Sequence, residues 1–487
     1  MPLQTGRVAF PSARKSNTAA AIIARQDRIP VWALPNLSIV IIGLGFLFTF
    51  FDIGDINVSF IQTCVQIVPG CLPQIAGKYL GLPVLLNLVG YVLGALVFSP
   101  FADRFGRRDM MLITMVITGL GSLLTAFAGS YTHFVLARTV TGVGIGAELA
   151  LVNTYINEVA PSGARTRYTS LIFIIASVGS SLGVCLGLYL TTPPTPFPFG
   201  LPFAIATPHF LIGWRVMYVI GASLAIVGLL LRIFGLPESP RWLVLRGRLA
   251  AADRVVSDME KKALTRIREL PPVAPELPIR TSARGTGYGE IFSSPLYFKR
   301  TILLLVIWLL GYITVYSYIA GFTVLLSALG YPAPEAGLLA SLSIFGGLAC
   351  GFIAYIWGER FDRKYWLPVA AVLSLAGGIV IAMSGGDFGI TFLGAFVLTL
   401  GSYLWLPITY TWSTENYPTR ARTSGFALVD GIGHVGGGIG VTYVVSLVFR
   451  LGPLGTFLLV GSFLLVAAWL AQFGPATRRK RLDEISP

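Results

Sequence analysis

The chain has 487 residues, of which 54% are apolar, 12% are charged and 55 are glycines, and its mean hydropathy is +0.75. Soluble globular chains carry about 25% charged residues, so this composition excludes an ordinary water-soluble enzyme and a disordered chain alike, and leaves a protein whose solvent is the bilayer. The formal charge of +14, from 36 Lys and Arg against 22 Asp and Glu, would point to nucleic acid only if it formed a surface patch.

A bilayer crossing takes about 20 apolar residues in helical form. Apolar windows predict twelve helices, near 34–61, 81–101, 110–129, 133–158, 168–191, 213–236, 301–325, 333–357, 367–385, 390–413, 424–448 and 454–473. Ahead of the first, residues 1–30 hold Arg7, Arg14, Lys15, Arg25 and Arg28 but no short apolar core with a small-residue cleavage site, and read as a retained cytoplasmic tail. With that tail inside, the inner segments collect nearly all the Lys and Arg. The outer loops keep only Lys78 and Arg450, with Arg138 and Arg215 lying inside helix windows. This bias predicts both termini in the cytoplasm; the charge is an orientation signal, and nucleic acid is not an expected partner.

Cys64 and Cys71 sit at the outer end of the first helix, within reach of a disulfide, while Cys185 and Cys350 lie in helices; unpaired packing thiols are the expectation. The polar stretch 244–298 begins with an amphipathic, charge-rich run, predicted helical, and continues through "PPVAPELP". It divides the chain into six-helix halves at 31–243 and 299–473, followed by a cytoplasmic tail at 474–487. Each half repeats a signature between its second and third helices, "SPFADRFGRR" and "YIWGERFDRK". A six-helix repeat fits a transporter of two rocking halves with its site near the midplane.

Charges inside the membrane are costly and mark functional paths. The acids there are Asp52, Asp55, Glu148 and Asp430, against Arg138 as the one fully intramembrane Arg, and His434 is the helix-buried His. Four acids cannot all pair with one Arg, so at least one is expected to carry a proton for part of the cycle. Asp52 and Arg138 are the predicted alternating pair, with Asp55 or Glu148 as other candidate proton carriers. Trp308, Tyr312 and Tyr316 share one face of the seventh helix, and Tyr403, Trp405 and Tyr410 occupy the tenth. Of these, Tyr312, Tyr316 and Trp405 are candidate substrate contacts, suited to a small amphiphilic or aromatic solute. Asp430 and His434 lie one turn apart among glycines and complete that candidate site. The Gly142, Gly144, Gly146 run sits inside an apolar helix and reads as close helix packing.

The motif Asp103-Arg104-x-Gly106-Arg107-Arg108 resembles the inter-helix signature of the major facilitator superfamily. "YINEVAP", "PESPRWL" and "TENYPTRAR" resemble its branch of sugar porters, niacin permeases and organic-ion transporters. The resemblance spans almost the whole chain. It implies an all-α membrane protein with the major facilitator fold, and a cytoplasmic gate built from Asp103, Arg104, Gly106, Arg107, Arg108, Glu158, Glu238, Arg241, Glu359, Arg360, Glu415 and Arg422. Sugar porters are similar to one another in Gln and Asn residues on the fifth and seventh helices; here Phe173 stands near one such position and the seventh helix has none. "FFDIGDINVSF" and "RTVTGVGIGAEL" are instead similar to niacin permeases and metabolite:proton symporters.

The expected function is secondary active transport of a small organic acid, aromatic acids included, coupled to protons. An organic-cation:proton antiporter, a sugar:proton symporter and a non-transporting ligand sensor are the alternatives. The expected partners are a small-molecule substrate, protons and the lipid bilayer of the cell membrane, around a monomer. Scattered His133, His209 and His434, with no P-loop, give no sign of an enzyme, a metal site or a cofactor.

Overall fold

The computed structural model describes residues 18–197, 201–207, 209–273, 275–276, 287–319 and 321–487. Arg7, Arg14 and Lys15 of the predicted tail, and parts of the 244–298 loop, fall outside them. The described residues are almost entirely helical. In a hydrocarbon medium every backbone N–H and C=O must be satisfied within the segment, and the helix does this.

The first six crossings are α2 (Asn36–Ile67), α3 (Gly77–Phe105), α4 (Arg107–Ala126), α5 (Tyr131–Val159), α6 (Arg165–Thr191) and α7 (Gly213–Gly235), preceded by α1 (Ala19–Asp27). The short α8 (Pro240–Leu245), α9 (Leu249–Leu264) and α10 (Gly287–Ser293) follow in the connecting loop. The second six are α11 (Pro295–Ile319), α13 (Ala333–Trp357), α14 (Trp366–Ala382), α15 (Phe388–Glu415), α16 (Arg422–Ile439) and α17 (Val448–Ala471), with the short α12 (Phe322–Ala328) and α18 (Leu482–Ile485). Among the described residues eleven helices are long and apolar enough to span a membrane. The twelfth, α16, carries Asp430, His434 and a glycine run. It continues through a π turn (Gly440–Val444) and a 3-10 turn (Val445–Leu447) into α17, which bends at Gly452 (φ +68) and Pro453. The predicted windows match these helices in order, although α2 runs one and a half turns further outward.

Leu82, Leu85, Val89, Leu93 and Val97 form an exposed apolar row along α3, tolerable only against lipid. Inward, α5 is buried along most of its length, and its glycines bring helices together. A Cβ at Gly142 or Gly146 would overlap the α3 backbone at Asn87 or Tyr91, which is why small residues line this contact. The halves meet where α3 packs on α16 and α6 on α13.

Cys64 and Cys71 are joined by a disulfide. The expectation of free thiols is corrected: α2 runs on to Ile67, which brings Cys64 and Cys71 within 5.9 Å at Cα. At the opposite end α1, α8 and α9 pack together, and the C-terminal residues cross the same face, where Arg481 bonds Asp27 at 2.9 Å. Both described termini therefore lie at one end of the bundle.

Candidate functional site

Charged groups gather at the termini-bearing face and in the middle of the bundle. At the face, two networks repeat the internal symmetry of the sequence. In the first, the Asp103 carboxylate at the end of α3 accepts from the Ser424 N–H (3.1 Å) and hydroxyl (2.7 Å) at the start of α16, in the other half. A carboxylate at a helix N-terminus meets unpaired N–H groups and the positive end of the dipole. Arg107 pairs with Asp103 and Glu158, both at 3.1 Å, and Arg422 reaches across to the same Glu158 oxygen at 3.2 Å. In the second network Glu359 accepts from the Thr166 N–H at 2.8 Å at the start of α6, Arg363 pairs with Glu359 (2.8 Å) and Glu415 (3.4 Å), and Arg165 crosses to Glu415 at 3.1 Å. Each half thus supplies an acid, a base and a helix start to the other.

Gly106 has φ +119, and a Cβ there would strike the Glu238 carboxylate, so glycine is required twice over at that point. Glu238 accepts from the N–H groups of Arg107 (3.2 Å), Arg108 (3.1 Å) and Ser239 (2.7 Å). Burial pushes its carboxyl up, against the pull of those N–H groups and of the Arg107 charge. Arg241 is clamped between Asp27 (2.5 Å) and Asp483 (2.7 Å); burial works to lower it and the two carboxylates hold it above its ordinary value. Arg108 donates to the Ile233 carbonyl at 2.8 Å. Arg104 and Arg360 are exposed beside Phe105 and Trp357 and, among the described residues, pair with no carboxylate of either network. Arg165 and Arg363 were missed, although laying one half's signature over the other matches Arg165 to Arg422 and Arg363 to Arg107.

Inside the bundle Arg138 on α5 bonds Asp52 on α2 at 2.6 Å, both about 1% exposed. Asp55 lies one turn along α2, fully buried; among the described residues neither of its oxygens has a partner in bonding geometry, and the Ser59 hydroxyl stands beside it. Glu148 does not belong with the unpaired acids. Arg232 on α7 reaches it at 2.5 Å and the Thr114 hydroxyl at 2.7 Å. Arg138 is therefore not the one buried Arg; Arg232, near the end of its helix, turns its long side chain inward.

Asp430 on α16 sits where α3 and α11 converge. Tyr91 donates to one carboxylate oxygen at 2.5 Å and Tyr312 to the other at 2.6 Å. The His434 ring lies between theirs, with centroids at 3.9 and 4.0 Å. Its Nδ1 is 2.7 Å from the Asp430 backbone carbonyl and 4.0 Å from the carboxylate. Tyr316 meets His434 edge-on at 5.7 Å. Trp405 stands one layer back, stacked near Trp308, its N–H spent on the Ser402 carbonyl. From the first half, Phe173 packs edge-on against Tyr410 at 5.0 Å, with Phe46 and Phe50 behind it. Tyr91 was missed from sequence, since one Tyr in an apolar helix carries no signal of its facing. Among the described residues no three His, Cys, Asp or Glu side chains gather as metal ligands.

Residues 37–334 match the family described as Sugar (and other) transporter, and residues 304–486 match Major Facilitator Superfamily. The chain is 28% identical to the 4-hydroxybenzoate transporter PcaK of Acinetobacter baylyi, over 78% of each chain. It is 26% identical to the niacin transporter NiaP of the same organism, over 95% of this chain and 99% of that one. The fold is that of the proton:xylose symporter XylE from E. coli, with a TM-score of 0.71 at 19% identity, over 95% of this chain and 98% of that structure.

Proposed function

Because the chain belongs to the major facilitator superfamily, in its sugar (and other) transporter family, we propose that it carries a small aromatic organic acid across the cell membrane together with protons. The observation that carries this reading is the Asp52, Arg138 and Asp55 group, in which one buried carboxylate, Asp52, holds the guanidinium and a second, Asp55, stands one turn away without a partner in bonding geometry among the described residues. Protonation of Asp52 frees Arg138, whose charge then turns to Asp55 or to an incoming carboxylate. The substrate site is the aromatic enclosure of Tyr91, Tyr312, Tyr316, Tyr410 and Phe173 around Asp430 and His434. Flat rings with phenolic tips suit an aromatic acid, and the names of the relatives PcaK and NiaP support that class.

The two ion networks form the gate, closed on the cytoplasmic side. The Lys and Arg bias of the inner segments supports this orientation. So does the disulfide at the far end, since such bonds persist in oxidising compartments. A carboxylate among aromatic rings also favours a second reading, an organic cation exchanged for protons.

Proteoliposomes with an acidic exterior, offered 4-hydroxybenzoate, nicotinate and xylose, and with an acidic interior, offered tetraethylammonium, test both readings. Gradient-driven accumulation of an aromatic acid is expected. Asp52→Asn should abolish that accumulation yet retain counterflow exchange. Accumulation by Asp52→Asn equal to that of the wild type would refute the coupling assignment, and uptake of tetraethylammonium alone would select the second reading.

A further inference from the structure

Asp430 is the buried intramembrane acid held by both halves at once. We propose that it is a second proton-binding site of the transport cycle, set in a clasp, Tyr91 to Asp430 to Tyr312, that ties the two halves together in mid-membrane.

Asp430 is fully buried. Asp52 has Arg138 and Glu148 has Arg232, whereas among the described residues no Lys or Arg pairs with Asp430. The titratable groups facing it are Tyr91 from α3, Tyr312 and Tyr316 from α11, Tyr410 from α15 and His434 from its own helix. His434 turns Nδ1 to the backbone carbonyl and leaves the carboxylate to the phenols. A carboxylate in this setting is costly to keep ionised through every state of the cycle, and binding a proton is its cheapest relief.

The geometry makes that proton consequential. Each carboxylate oxygen serves one phenol, and the two phenols come from opposite halves. Gly431, next in the chain, lies so near α3 that a Cβ would stand 3.1 Å from the Ala95 methyl. The bond from Tyr91 is thus made only while α3 and α16 are in close contact. A hydrogen bond to an ionised acceptor is about twice as strong as a neutral one. A proton on either oxygen turns that acceptor into a donor and leaves one phenol with a weaker bond, so the clasp loosens as Asp430 takes its proton.

The consequence for the substrate rests on the aromatic-acid reading above. Two phenolic donors between stacked rings already hold one carboxylate, that of Asp430. A substrate carboxylate takes over those donors once Asp430 is neutral, because two carboxylates on the same pair would repel. One proton on Asp52 and one on Asp430 accompany each monoanion, and one net positive charge enters per turnover.

The full-length protein in liposomes tests this in two ways. Without substrate, acidification should produce infrared carbonyl absorption of protonated buried carboxyls, with one band that is absent in Asp430→Asn and retained in Asp52→Asn and Asp55→Asn; identical difference spectra for wild type and Asp430→Asn overturn the proposal. With 4-hydroxybenzoate and no pH gradient, an inside-negative potential should accelerate wild-type uptake. In Asp430→Asn the ratio of uptake with and without the potential should fall to about one, whatever the absolute rate, since a monoanion with one proton is neutral. Wild-type uptake indifferent to potential refutes the second proton. If 4-hydroxybenzoate is not carried at all, the substrate reading has failed and the infrared result alone decides whether Asp430 binds a proton.

Discussion

Replacing Arg232 by Met tests the buried pair inside the first half. The substitution keeps an unbranched apolar stem and deletes the guanidinium and its charge. It leaves Glu148, about 1% exposed and bonded otherwise only by Thr114, as an uncompensated acid in the bundle interior. Removing one member of a buried pair costs about 3–5 kcal/mol. Glu148→Gln should cost less, roughly 1–3 kcal/mol, because Arg232 keeps the carbonyls of Ile42 at 3.1 Å and Met111 at 3.3 Å as acceptors. The double variant Arg232→Met with Glu148→Leu removes both charges and should lie near the wild type, or above it by up to ~4 kcal/mol. Gly45→Ala probes the same place, since its Cβ would overlap the Glu148 carboxylate and the Arg232 guanidinium. Equilibrium unfolding in mixed micelles, followed by tryptophan fluorescence, gives the four values. The reasoning is refuted if Arg232→Met stays within ~1 kcal/mol of the wild type, or if the double variant is less stable than Arg232→Met alone.

At the proposed gate, Glu158→Gln leaves Arg107 and Arg422 facing each other without the negative charge they share. It should shift the closed-to-open balance by at least tenfold, a change of about 1.4 kcal/mol; labelling of a single cysteine placed beneath the gate should accelerate accordingly, and an unchanged rate counts against the gate. The C-terminal strap has a pH signature. Burial pushes the Asp483 carboxyl up, and Arg241, with Arg422 and Arg481 further off, overrides it and holds the group below the usual range. A folded value below the unfolded one, about 3.9, means that the stabilisation is complete above that pH and is lost as pH falls through the folded value. Protease cleavage within 474–487 should therefore rise only on strong acidification in the wild type, and Asp483→Asn should be cleaved readily at neutral pH.

The helices and their order were legible because hydropathy and charge are sums along the chain. Twenty apolar residues declare a crossing whatever they touch, and the basic loops declare a side. The ion networks at the termini-bearing face were partly legible for a related reason: Asp103, Glu158, Glu415 and Arg422 sit in short motifs at helix ends, where a charge has few places to go. Pairings within the bundle were not. A helix apolar on nearly every side, such as α3 or α5, has no polar face to betray its rotation, so nothing local says that Glu148 looks toward Arg232 or that Tyr91 looks toward Asp430, 339 residues away. Those facings are set by glycine-lined helix contacts that fix separation and phase together. The fold thereby paired Glu148, a candidate proton carrier, with Arg232, joined two cysteines expected to be separate, and gave Asp430 a phenol from each half. Composition and motif established a membrane transporter with charged helix ends; which acids, among the described residues, stand without a base was decided only when the helices packed.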